Sequence, residues 1–237
     1  MNIAENTQLI KIFIGYDYRE RAATNVLIDS IYQKASIPVC FIPLVISQLK
    51  KQGFYWRERD PKQSTDFSFS RFLVPKLMGY KGWAIFMDCD MLCKVDIKKL
   101  WDLRDEQYSV MCVKHDHNPT ENIKFLGEIQ SNYPKKNWSS LMLFNCEKCK
   151  KLTPSYVNKA SGLDLHRFNW LKSDSEIGGI PMNWNFLVDV QKSMLNSDPN
   201  MLHWTLGGPW FNEQALKGDK FSLEWFRARD NAIKLWD

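Results

Sequence analysis

Trp83-Ala84-Ile85-Phe86-Met87-Asp88-Cys89-Asp90 is an apolar run that ends in two carboxylates one residue apart. Its length and composition read as a buried strand. In a strand, alternate side chains share a face, so Asp88 and Asp90 project the same way where the chain leaves the core. That is a place to hold a hard divalent cation. A turn or a helix cap also uses aspartate at a strand end, so the pair is weighed against what surrounds it.

Upstream, residues 11–16 form another strand-length apolar run, and it ends at Asp17. Over residues 19–34, Ala23, Val26, Leu27, Ser30 and Ile31 fall on one helical stripe, with Arg19, Glu20, Asp29 and Gln33 mostly off it. Residues 38–44 read as a second buried strand, and Ser47 as the cap of a short helix running toward Gly53. Residues 54–65 are polar and include Pro61, which suggests an exposed loop. The stretch 69–78 is helical in pattern, with Pro75 marking a kink or a new first turn.

Downstream, residues 109–113 and 141–144 are two further strand-length runs. This order of strands and helices favours an α/β fold around a mixed, mainly parallel central sheet. Ligands of such sheets sit at the carboxyl ends of the strands, where Asp17 and the Asp88/Asp90 pair fall. After Asn145 the pattern is less regular, and tryptophans accumulate at 170, 184, 204, 210, 225 and 236. This half reads as loops and short helices closing over the sheet edge. No Pro/Gly/Ser-rich linker divides the chain, so a single domain over residues 1–237 is expected.

The composition bounds the function. Hydrophobic residues at 44% and charged residues at 25% are ordinary for a globular chain, which argues against disorder. A net charge of +5 helps attract a diphosphate-bearing ligand but is too small and scattered for a nucleic-acid partner. The amino-terminal residues carry no secretory pattern, and no run approaches a membrane span, so a cytoplasmic location is expected. The six cysteines should then stay reduced, and Cys146-Glu147-Lys148-Cys149 lacks the second pair that a structural zinc site needs.

Taken in order, these pieces resemble the GT-A (Rossmann-like) nucleotide-diphospho-sugar transferases, and among them the retaining glycosyltransferases of family 8. Gly15-Tyr16-Asp17 matches an acidic residue ending the first strand. Ser70-Arg71-Phe72-Leu73-Val74-Pro75 is similar to the family's arginine-bearing helix, and Phe86-Met87-Asp88-Cys89-Asp90 to its D-x-D strand. Asn137-Trp138-Ser139-Ser140-Leu141-Met142-Leu143 is similar to an Asn-Ser-Gly-Val-Met-Leu segment, with Ser140 where Gly usually stands. Ile180-Pro181-Met182-Asn183-Trp184-Asn185 is similar to Leu-Pro-x-x-Tyr/Trp-Asn, and His203-Trp204-Thr205-Leu206-Gly207-Gly208-Pro209-Trp210 to the closing His-x-x-Gly-x-x-Lys-Pro-Trp motif.

The resemblance implies a hexose moved from a UDP-sugar, UDP-glucose or UDP-galactose, to an acceptor hydroxyl with retention. The nucleotide-binding half would cover about 9–115 and the acceptor half about 116–237. Asp88, Asp90 and His203 are implied as ligands of one cation. Two carboxylates and an imidazole suit Mn²⁺ better than Mg²⁺. Arg71 is implied as a partner of carboxylates or sugar oxygens. Gly15, Tyr16 and Asp17 are expected at the base and ribose, Ser139 and Ser140 at the donor, and Trp210 beside it, with Trp184 a weaker candidate for stacking on a sugar.

Two features depart from the family. Gly208 stands where a phosphate-binding lysine is expected, and the backbone N–H groups of Gly207 and Gly208 are a possible replacement. The usual Asp-Gln pair on the acceptor side is represented only by Asp174 and Glu176. A nucleotidyltransferase is the first alternative, disfavoured by the single glycine after the first strand; a non-catalytic sugar-binding protein is the second. The stretch 221–236 mixes apolar and basic residues, which fits docking on the parent domain or peripheral contact with a membrane surface. The acceptor, whether glycan, lipid or protein, stays unidentified at this level.

Overall fold

In the computed structural model, which describes residues 9–60, 63–116, 135–191, 198–211 and 218–234, the Trp83–Met87 strand lies inside a six-stranded sheet. The chain runs through β1 (Ile10–Gly15), α1 (Arg21–Tyr32), β2 (Val39–Leu44), α2 (Ile46–Lys51), α3 (Val74–Leu77), β3 (Trp83–Met87), β4 (Met91–Cys93), α4 (Lys98–Trp101) and β5 (Val110–Cys112). It continues with β6 (Leu141–Asn145), α5 (Pro154–Lys159), α6 (Gly162–His166), β7 (Ile177–Gly179), β8 (Phe186–Leu187), β9 (Met201–His203) and α7 (Lys220–Ala232). The large sheet has the order β2-β1-β3-β6-β5-β7. β1 pairs in parallel with β2 and β3, and β7 with β5. β6 is antiparallel to both its neighbours, so it alone runs against the other five.

This arrangement explains the uninterrupted apolar runs. β3 and β6 are central and every residue in them is buried, as expected of strands covered on both faces. The carboxyl ends of the five parallel strands and the amino end of β6 share one edge. Asp17, Asp88, Asp90, Ser139 and Ser140 all follow or precede strands at that edge.

A second sheet, β4-β9-β8, was not expected from the sequence. β4 begins one residue after Asp90 and pairs antiparallel with β9, with Met91 opposite His203. The Trp204 N–H also donates to the Asp90 carbonyl at 3.0 Å. This register carries the histidine across more than a hundred residues of sequence to the D-x-D.

The helices depart from expectation at their ends. Helix α1 starts at Arg21, after a 3-10 turn, Tyr18–Glu20, that Asp17 caps by accepting from the Arg19 N–H. Its buried stripe is Ala23, Thr24, Val26, Leu27, Ser30 and Ile31, and the Ser30 hydroxyl accepts from the Cys93 N–H at 3.1 Å, tying α1 to β4. Ser47 lies inside α2 rather than capping it; Val45 precedes the helix and offers no capping oxygen. Pro75 sits in the first turn of α3, where its missing N–H costs nothing. Helix α7, capped by Asp219, buries Phe221, Ser222 and Trp225, and the two aromatics pack with Phe186, Leu202, Trp204 and Val26. Part of the apolar face considered for a membrane is therefore covered by protein, while Leu223 and Ile233 stay exposed, and Lys94 pairs with Glu224 at its flank. Trp236 lies outside the described residues.

Candidate active site

The side chains of Asp88, Asp90 and His203 each bring one oxygen or nitrogen to a common place, all within 4.8 Å of one another. Asp88 follows β3 directly, and its N–H donates to the Ser140 carbonyl at 2.8 Å. Its Oδ1 lies 2.9 Å from an Arg71 guanidinium nitrogen, an ion pair whose angle falls outside that of a hydrogen bond. The same Arg71 nitrogen donates to the Ser139 carbonyl at 2.9 Å. Arg71 is thus buried beside Asp88 and ties it to the Ser139 carbonyl. Its guanidinium lies over the rings of Phe86 and Phe67, at 5.0 and 5.2 Å.

The orientation of His203 is set from behind. Asn185, fully buried, gives its amide N–H to the Ser140 hydroxyl at 2.8 Å and to the Asn137 carbonyl at 3.4 Å. Its amide oxygen therefore faces His203 Nδ1, 2.8 Å away, which makes Nδ1 the protonated ring nitrogen. Nε2 is left facing Asp90 Oδ1 at 3.3 Å. That oxygen is buried and has no hydrogen-bond donor. A buried carboxylate oxygen facing an imidazole nitrogen is satisfied by a proton or by a metal cation between them. Aspartate oxygens and an imidazole nitrogen form a donor set that fits a divalent transition metal.

Several expected roles move once the geometry is known. Asp17 is fully buried. Its oxygens accept from the Arg19 N–H and guanidinium and from the Asp66 N–H, at 2.7 to 3.1 Å. Burial by itself raises a carboxyl's pKa, but these donors outweigh it and hold Asp17 below its ordinary value. Asp17 is an anchor for the loop that carries Asp66, not the ribose acceptor expected. Gly15 likewise makes room for protein, since a Cβ there would lie 2.2 Å from the Phe67 ring. Tyr16 is half-buried and the adjacent Tyr18 is 67% exposed, so an aromatic remains available at this edge.

The glycine pair does not offer a two-pronged phosphate cradle. The Gly207 N–H already donates to the Trp204 carbonyl at 2.9 Å. A Cβ on Gly208 would lie 2.1 Å from the ring of Trp210. That ring packs against Trp204 and Trp225, with centroids 5.9 and 5.3 Å away, so Trp210 belongs to an aromatic cluster under α7. Trp184 is buried in the main core.

Asp174 and Glu176 are corrected by strand direction. They form the turn before β7, at the amino ends of β5 and β7, whereas Asp88 and Asp90 lie at the carboxyl edge. Glu176 accepts from the Ser109 hydroxyl at 2.8 Å and the Lys172 N–H at 2.9 Å, and Asp174 pairs with Lys135. Both carboxylates belong to the scaffold of the far edge. Ser139 and Ser140 do lie at the site, but their hydroxyls face inward: Ser139 to His166 Nδ1 at 2.8 Å, and Ser140 to Asn137 and Asn185.

Sequence reasoning missed Asn185 as the group orienting His203. It also missed Glu20, a buried carboxyl between β1 and α1. Burial and then the neighbouring charges of Asp90, Asp17 and Asp88 push the Glu20 pKa well above the usual range. A charged residue inside the turn before an amphipathic helix was the available signal, but exposed glutamates look the same in sequence.

A mainly parallel sheet with one reversed strand, a D-x-D at its carboxyl edge and a histidine delivered from a second sheet define a GT-A glycosyltransferase. The chain belongs to Glycosyl transferase family 8, whose profile matches residues 16–153. It is 50% identical over 229 residues to Protein CDI of Arabidopsis thaliana, covering 94% of this chain and 87% of that protein. Among solved structures it resembles the galactosyltransferase LgtC in complex with donor and acceptor sugar analogs, with TM-score 0.62, 10% identity, and 96% and 98% of the two chains covered. It also resembles the bifunctional glycosyltransferase WbbM, with TM-score 0.60 and 15% identity over 96% of this chain; the match spans 53% of the WbbM chain. At these identities the structural likenesses speak to fold.

Proposed function

We propose that this glycosyltransferase moves a hexose from a UDP-sugar, UDP-glucose or UDP-galactose, to an acceptor hydroxyl on a glycan, lipid or protein, with retention and with Mn²⁺ favoured over Mg²⁺. The observation that carries the reading is the convergence of Asp88, Asp90 and His203, with the Asp90 Oδ1 buried and lacking a donor. A cation held by these residues would neutralise charge on the departing diphosphate. The Arg71 contact holds Asp88 in place, and Asn185 turns the His203 Nε2 edge toward Asp90. The half-buried Tyr16 and exposed Tyr18 supply faces on which a base can stack. We infer front-face displacement, in which the leaving phosphate oxygen takes the acceptor proton, because the motifs name no residue as a covalent nucleophile.

A thermal-shift screen of UDP-sugars with and without Mn²⁺ tests the reading, since a ligand that binds the folded state raises Tm. The expected outcome is a Mn²⁺-dependent rise with a UDP-hexose that disappears in Asp90→Asn and His203→Ala. An equal rise in both variants overturns the cation centre. Product of inverted anomeric configuration, read by NMR, overturns retention.

A further inference from the structure

Ser140 is the last residue of the 3-10 turn before β6 and is 3% exposed. Its backbone carbonyl accepts from the Asp88 N–H at 2.8 Å. Its hydroxyl donates to the Asn137 carbonyl at 2.6 Å and meets the Asn185 amide nitrogen at 2.8 Å. Asn185 in turn meets His203 Nδ1 at 2.8 Å. One residue therefore touches the D-x-D side directly and the histidine side through a single intermediary.

The direction of these bonds follows from counting protons. A carbonyl only accepts and a hydroxyl has one hydrogen, so the Ser140 proton is committed to Asn137 and its Oγ accepts from Asn185. That turns the Asn185 amide nitrogen toward Ser140 and the amide oxygen toward the ring, where Nδ1 is then the donor. The Asn137 residue at the end of the chain of bonds has a left-handed backbone, φ 64°, which asparagine tolerates better than most residues. Its carbonyl also accepts from the Ser140 N–H at 3.3 Å. Asn185 and His203 are 0% and 1% exposed, so water does not compete for these links. Without the Ser140 hydroxyl, Asn185 would keep only its 3.4 Å contact with the Asn137 carbonyl, longer than a good N–H···O bond.

We propose that Ser140 is a positioning residue of the cation centre: its carbonyl holds Asp88 in register, and its hydroxyl, through Asn185, fixes the His203 ring with Nε2 toward Asp90. The proposal rests on the reading of Asp88, Asp90 and His203 as that centre. It gives a role to a side chain that a glycine, the residue standing here in the similar family segment, does not have.

The test is a titration of the full chain with Mn²⁺ alone, counting free ion by electron paramagnetic resonance, in wild type, Ser140→Ala, Asn185→Leu, the double variant and Asp90→Asn. Ser140→Ala removes the hydroxyl and keeps the carbonyl. The expected result is a Kd raised about tenfold in Ser140→Ala, the lower end of the range found when groups orienting metal ligands are removed. In the Asn185→Leu background the same change should alter Kd by less than about twofold, because the relay is already broken. A serine that only stabilises the turn gives a different pattern, raising Kd by the same factor in both backgrounds; that additivity overturns the proposal whether or not the metal-free Tm falls. Wild-type-like binding in Ser140→Ala, with binding lost in Asp90→Asn, overturns the role of the Ser140 hydroxyl alone. Equal binding in wild type and Asp90→Asn overturns the centre itself.

Discussion

Which ring nitrogen of His203 faces the acids is decided by Asn185, because the amide oxygen accepts from Nδ1 while the amide nitrogen is held by Ser140 and Asn137. Asn185→Leu removes that constraint and leaves the ring free to choose the other tautomer. Mn²⁺ affinity should fall about 10- to 100-fold, with His203 still present, as measured by calorimetry. Asp17 makes a different prediction, about acid. Its folded pKa is lowered, so the stability it contributes is fully present above the ordinary value of 3.8 and is lost as pH falls through the lowered value. Urea unfolding of Asp17→Asn should show less stability than wild type at neutral pH and a flatter decline below pH about 4. At this scale the resemblance in motif order picked out the three side chains that converge. It could not tell that Asp17 is occupied by Arg19 and Asp66, because occupancy depends on partners that only the fold brings close.

Elements deliver these residues through contacts that leave little slack. The end of β1 touches the Phe67 ring at Gly15, and Phe67 in turn lies under the Arg71 guanidinium that holds Asp88. Gly15→Ala inserts a methyl where the ring already is, and overpacking of this kind costs about 1–3 kcal/mol. The variant should melt earlier and bind Mn²⁺ less well, since Phe67 must move and Arg71 lies beside it. In a Phe67→Leu background the same Gly15→Ala change should cost less, and a double-mutant cycle on Tm checks the coupling. Strands of five or six residues, β1 and β3, were legible because an apolar run of that length has few other readings. β4, β8 and β9, with two or three residues each, are too short for any periodicity, so the sheet that carries His203 went unseen. The direction of a strand is also silent in its pattern. β6 reads like the strands it runs against, and Asp174 and Glu176 look close to the site until β7 is seen to start at the far edge.

At the scale of the whole molecule, strands from the first and second halves of the sequence interleave in both sheets. β6 from the second half lies between β3 and β5 of the first, and β9 lies between β4 and β8. The main core takes Ile10, Phe86 and Met111 from the first half and Leu143, Trp170 and Trp184 from the second. The second cluster joins Val26 and Leu92 to Trp204 and Trp225. No cut near residue 115 leaves either sheet whole, which is the physical argument for treating the chain as one folding unit. Urea unfolding followed by tryptophan fluorescence, which reports mostly on the second half, and by far-ultraviolet circular dichroism should then give coincident midpoints; separated midpoints would refute a single unit. The cysteines report on the same unity. Cys89, Cys93, Cys112, Cys146 and Cys149 are buried, and burial pushes Cys93 up to about 11 and Cys112 and Cys146 up to about 12. Cys40, half-buried in β2, is the exception. A thiol must ionise and be reached before it reacts. With a bulky aromatic disulfide at pH 8, the native protein should therefore show one fast thiol, removed by Cys40→Ser, and the other five should react together at the rate of global unfolding. A second thiol reacting early would mark a part of the sheet that opens by itself.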